Sequence, residues 1–110
     1  MLVAETFKAL GDPIRLEMVK RLSDDSHQTV GGLFNGLGLT RQGARKHLQV
    51  LADAELVTLR RKGRQTEVSL DPTSLATAKS FITGLELQWD HRLNALREFI
   101  EKDTSTKSPH

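Results

Sequence analysis

The side chains best equipped for chemistry in this chain are long-armed cations gathered in one stretch. Residues 41–64 carry Arg41, Arg45, Lys46, Arg60, Arg61, Lys62 and Arg64, against only Asp53 and Glu55. The remainder of the 110-residue chain holds nine basic and twelve acidic groups, so a net charge of only +2 conceals a basic segment on an acidic body. That distribution is the footprint of a polyanionic partner. Charge alone is equally consistent with a solvated surface. The chemistry offered is recognition: guanidinium and ammonium groups hold phosphate, Arg can grip guanine, and Gln can grip adenine in bidentate fashion.

Catalytic chemistry has no such foothold. No nucleophile–base–acid set is evident, and Gly36-Leu37-Gly38 is too short for a phosphate-cradling loop and lacks the following Lys-Ser/Thr. The chain is therefore not expected to be an enzyme, and no cofactor is implied. The absence of cysteine removes disulfides, thiolate metal ligands and thiol redox switching together. No apolar run approaches the ~20 residues that span a bilayer. The N-terminus lacks the basic and apolar segments of a secretory signal. These features predict a cytoplasmic protein without a membrane partner.

The cations need rigid elements to aim them. Val3, Phe7 and Leu10 fall at i, i+4, i+7 of a short first helix, ending at Gly11, which can adopt the left-handed cap conformation. Asp12-Pro13 restarts a helix with a capping carboxylate and a proline at the first helical position. Ile14, Met18, Val19 and Leu22 form its buried face, and residues 23–28 form a polar loop. Thr29 can cap a third helix with Val30, Leu33, Phe34 and Leu37 on one stripe, weakened by Gly31, Gly32 and Gly36. After a tight turn at Gly38-Leu39, Thr40 caps a fourth helix to about Ala54, with Ala44, Leu48 and Leu51 inward. Two helices joined by so short a glycine-containing turn are the mark of a helix-turn-helix.

With that stripe inward, Gln42, Lys46 and Gln49 occupy the opposite face of the fourth helix. Arg45 lies on its flank and Arg41 in its first turn. Gly43 removes bulk where backbone would approach DNA. Residues 56–61 and 66–70 are richer in β-forming residues and predict two strands, joined by a turn through Lys62-Gly63-Arg64-Gln65. Arg60, Arg61, Lys62 and Arg64 repel one another there unless a polyanion offsets them. Asp71-Pro72 then opens a long helix from about residue 73 to 102. Its apolar positions Leu75, Ala78, Ile82, Leu85, Trp89, Leu93, Leu96 and Ile100 make a coiled-coil-like seam. Residues 1–102 form one domain of order α-α-α-α-β-β-α, mainly α with a small β-hairpin. Residues 103–110 are expected to be a disordered polar tail.

Three runs resemble the ArsR-type winged helix-turn-helix repressor family: ALGDPIRLEMVKRL (9–22), LGLTRQGARKHLQVLADAELV (37–57) and RRKGRQTEVSLDP (60–72). The order of elements matches over roughly residues 1–100. The resemblance implies a symmetric homodimer built by the first and last helices, so that Val3, Phe7, Leu10, Ile82, Leu85, Trp89, Leu93, Leu96 and Ile100 would lie in the interface. It implies a palindromic operator in double-stranded DNA, read by the fourth helix through Thr40, Arg41, Gln42, Gly43, Arg45, Lys46 and Gln49. The wing would grip backbone through Arg60, Arg61, Lys62 and Arg64, and the outcome would usually be repression. The alternative is a winged helix serving as a protein-interaction module without DNA binding. That role would favour an acidic or apolar face where this chain is basic.

The chain departs from the family pattern in informative places. Glu55 stands where the family usually has glycine, which bears on the cap of the fourth helix. Arg45 stands at an often-serine position, which implies a different operator preference, and Gly32 replaces a common acidic residue. Family members that sense metal use third-helix cysteines, absent from Thr29-Val30-Gly31-Gly32-Leu33 here. A second family site uses Asp and His with His and Glu on the last helix. Asp90, His91, Glu98 and Glu101 are available, but the adjacent Asp and His point about 100° apart and the second histidine is missing. No metal is therefore expected, and no effector is identified. His47 is assigned to packing or hydrogen bonding rather than phosphate contact, and Phe81, Trp89 and Phe99 to a dimer core rather than an effector pocket.

Overall fold

The computed structural model describes residues 3–107, with side chains described through residue 102. The elements are α1 (Val3–Leu10), α2 (Pro13–Asp24), β1 (His27–Thr29), α3 (Val30–Leu33), α4 (Arg41–Asp53), β2 (Val57–Lys62), β3 (Gln65–Leu70) and α5 (Pro72–Lys107). The chain divides into two compact units, one up to Ala78 and one from Lys79 onward.

In the first unit the caps act where the sequence places them. Asp12 Oδ1 accepts the amides of Ile14 at 2.8 Å and Arg15 at 3.2 Å, with Pro13 at the first helical position. Thr40 Oγ1 accepts the amide of Gly43 at 3.0 Å, and Asp71 Oδ1 that of Thr73 at 3.0 Å. Each satisfies amides that a helix start leaves without an intrahelical partner. Met18, Leu22, Leu33, Leu48, Leu51, Leu56 and Val68 form the centre of the core. Helix α1 packs into this unit through buried Thr6 and Ala9, whereas Phe7 on its expected apolar stripe is exposed.

Four local expectations are corrected. Gly11 ends α1 by donating to Lys8 O at 3.2 Å, a tight i→i−3 turn, and is not among the positive-φ glycines. Strand β1 lies where a polar loop was expected. It pairs antiparallel with β3, His27 opposite Ser69 and Thr29 opposite Glu67, giving a sheet of order β1-β3-β2. The third helix stops at Leu33, because its glycines disfavour helix and Gly36 takes φ +79°. Of its expected stripe only Leu33 is buried, while Val30, Phe34 and Leu37 are half-buried against the core.

The fourth correction concerns the C-terminal end. Helix α5 continues to Lys107, so the expected tail begins as helix. No Gly or Pro interrupts residues 103–107. Residues 108–110, the remainder of that expected tail, lie outside the described residues. In the second unit Ile82, Leu85, Trp89, Leu93, Leu96 and Ile100 are all exposed, Trp89 by 60%.

Candidate nucleic-acid interface

Helix α4 is held from three sides. Its inward stripe of Ala44, Leu48 and Leu51 is buried in the core, as its spacing predicts. Its half-buried His47 places Nδ1 3.2 Å from a guanidinium nitrogen of Arg15 on α2. A guanidinium only donates, so in this contact Nδ1 is the acceptor. Arg15 also donates from Nε to Ala9 O at 2.7 Å, tying α4 to the end of α1. The hydrogen-bonding role assigned to His47 is thus what the structure displays, but its partner Arg15 gave no sequence signal.

The C-terminal end of α4 closes in a Schellman motif. Leu56 N–H donates to Leu51 O at 2.9 Å and Glu55 N–H to Ala52 O at 3.0 Å. Glu55 occupies the left-handed position with φ +58°. The cap therefore forms without the glycine that the family resemblance leads one to expect there. Buried Ser74 donates its hydroxyl toward Ala54 O at 3.0 Å and Glu55 O at 3.1 Å, joining the first turn of α5 to this cap.

The wing is a two-residue hairpin, with Lys62 opposite Gln65. Gly63 alone of its two loop residues has positive φ, at +64°, the pattern of a II′ turn. Strand alternation then divides the cations. Leu59 and Arg61 share the face of buried Val68 and of Thr66, whereas Arg60 lies opposite Glu67 on the other face together with Lys62.

One cleft results, about 590 Å³, between α3, α4 and the wing. It brings together Arg41, Arg45 and Gln49 of α4 with Arg61 and Arg64 of the wing. Thr40, Gln42, Gly43, Lys46, Arg60 and Lys62 do not line it. Gln42 and Lys46 are exposed elsewhere on α4, Thr40 is its cap, and Gly43 donates to that cap. Gln49 already donates to Asp53 Oδ1 at 2.8 Å. No ion pair neutralises Arg41, Arg45, Arg61 or Arg64 among the described residues. Val30, Phe34 and Leu59 also line the cleft and are not among the sequence-predicted site residues.

The two capping carboxylates titrate below the ordinary aspartate value. For Asp12 the leading cause is the Arg15 backbone N–H, with the Ile14 amide and the Arg15 charge adding to it against partial desolvation. For Asp71 the leading cause is the Thr73 backbone N–H. Among the described residues, no three or more His, Asp or Glu groups are placed to hold a metal ion. No helix among them is long and apolar enough to cross a membrane.

Known proteins share these features. Residues 10–60 match the model of a helix-turn-helix domain family. An HTH-type transcriptional regulator of Bacillus subtilis, YuzN, is 44% identical over 64 residues, covering 53% of this chain and 70% of that protein. An ArsR-like transcriptional regulator from Rhodococcus superposes with TM-score 0.75 at 28% identity, covering 88% of this chain and 91% of the other. The transcriptional repressor BigR from Xylella fastidiosa superposes with TM-score 0.59 at 27% identity, covering 74% and 83%.

Proposed function

The chain belongs to the ArsR family of helix-turn-helix transcriptional regulators, and from that membership we propose that it is a cytoplasmic repressor binding a palindromic operator as a homodimer. The observation that carries this reading is the convergence of α4 and wing arginines on one cleft without acidic partners. Helix α4 fits a major groove, which admits one helix and displays base-edge donors and acceptors. Gln42, Arg45 and Lys46 are its reading side chains, and Arg61 and Arg64 hold the adjacent backbone. The repressor reading draws on the similarity to a transcriptional repressor.

A two-fold homodimer reading successive major grooves would set its two α4 helices ~34–36 Å apart, one duplex turn, and the α5 seam is the surface proposed to pair. The exposed Leu85, Trp89, Leu93 and Leu96 support that pairing, since an apolar stripe of this length on a helix is costly in water. The competing reading, a protein-interaction module, is disfavoured by the cationic face. Selection of bound duplexes from a random pool, at a fixed salt concentration, tests the proposal. Enrichment of a palindrome with half-sites one turn apart is the expected result. Enrichment of nothing, or of single unpaired sites, would overturn it.

A further inference from the structure

We propose that the cleft between α4 and the wing is also a binding site for a small amphipathic organic anion, an aromatic or aliphatic carboxylate, whose binding displaces DNA. The volume, about 590 Å³, lies within the range of small-ligand sites. Its lining combines two chemistries. Arg41, Arg45, Arg61 and Arg64 supply guanidinium forks, and no acidic side chain lines the cleft to repel an anion. Between them lie Val30, Phe34, Leu48 and Leu59. A phosphate backbone is polar and gains nothing from such a floor. An apolar body carrying one carboxylate gains from both, because it removes apolar surface from water and places its charge on a bidentate fork.

A neutral ligand would leave the like charges uncompensated, and a bare anion would leave the floor wet. The occupant is therefore specified by both halves of the lining. The displacement clause rests on the DNA-binding reading, because ligand and duplex would use the same arginines. Binding of the small anion does not rest on it.

The test is calorimetric titration of the intact protein, without DNA, using 2-naphthoate, its neutral analogue 2-naphthalenemethanol, and inorganic phosphate. One naphthoate per chain is expected, held at least about tenfold more tightly than either comparison compound. Arg45→Gln and Leu59→Ser should each weaken naphthoate by roughly tenfold or more. Equal binding of phosphate would overturn the proposal by showing a simple phosphate site, and equal binding of the alcohol by showing non-specific apolar contact. No binding, or binding unaltered in both folded variants, would overturn it as well. Naphthoate is then titrated into a preformed duplex complex. Release of DNA supports displacement, and a ternary complex overturns that clause alone. If no duplex binds while naphthoate still responds to both variants, the DNA reading fails and the anion site stands.

Discussion

Ser74 Oγ lies 3.0 Å from the carbonyl oxygen of Ala54, so the first turn of α5 is bonded to the C-terminal end of the cationic helix α4. Ser74 is fully buried and also reaches Glu55 O at 3.1 Å. Replacing it by alanine removes the donor and strands backbone oxygens in a site with little access to water. Ser74→Ala is expected to cost about 1–3 kcal/mol, measured from urea denaturation midpoints at unchanged slope. A neutral result would mean that water replaces the hydroxyl and that the link carries no stability.

Just beyond that contact, Glu55 holds φ +58° in the Schellman turn. A side chain in the left-handed region costs energy that glycine avoids. A carboxylate just past a helix C-terminus also opposes the helix dipole. Glycine gives part of this back through its freer unfolded chain. Glu55→Gly is expected to stabilise the protein by about 0.5–1 kcal/mol, the left-handed cost relieved less the unfolded-chain entropy, and Glu55→Val to destabilise it, both read by chemical denaturation. Stabilisation by valine would show that the backbone there is not strained.

The divide between what sequence revealed and what it did not follows physical range. The starts of α2, α4 and α5 were legible because Asp12, Thr40 and Asp71 act on amides two or three residues away. The inward face of α4 was legible because Ala44, Leu48 and Leu51 repeat at helical spacing. Strand β1 was not, since three polar residues become a strand only by pairing with β3 some forty residues later. The arginines of α4 and the wing were recognised as cations, but which of them meet depends on hairpin register. Arg61 and Arg64 join Arg41 and Arg45, whereas Arg60 stands in register opposite Glu67 on the other face of the sheet. Phe34 belongs to the core stripe that the sequence predicts and packs half-buried against the core, but it also lines the cleft, because α3 ends before it.

Acid should loosen the helix starts in a predictable direction. Asp12 and Asp71 both have folded-state values below the ordinary 3.8, because backbone amides hold their ionised forms. Their stabilising contribution is complete above that ordinary value and is lost as pH falls through the lower folded value. Asp12→Asn keeps an acceptor but cannot titrate, so its stability should fall less steeply with acid than that of the unmodified protein. Parallel acid curves for the two proteins would remove Asp12 from the account.

The register of the wing separates arginines that are adjacent in sequence. Arg61→Ala and Arg64→Ala should weaken binding to all duplexes alike, and each should lower the slope of log affinity against log salt by about one. Arg60, facing Glu67 on the opposite side of the sheet, should matter less. Substituting Gln42 or Arg45 should instead change which operator is preferred, measured by competition among selected sequences. Uniform loss in all these variants would refute the division into reading and gripping residues.

The seam of α5 gives the most direct test of assembly. Leu85, Trp89, Leu93 and Leu96 recur at spacings of four, four and three residues, and all are exposed. That periodicity keeps them on one side of a helix, where a second copy could cover them. Leu93→Glu introduces a charge that pairing would bury without a partner, while leaving the core of the first unit untouched. The variant is expected to sediment as a monomer with its helical content preserved. Its affinity for a full palindrome should fall by roughly 100-fold, because the two half-sites would no longer be engaged as one linked event. Its affinity for an isolated half-site should change little, since α4 and the wing remain in place. A Leu93→Glu protein that stayed dimeric would place the interface elsewhere, and a monomer that kept full palindrome affinity would remove dimerisation from the mechanism.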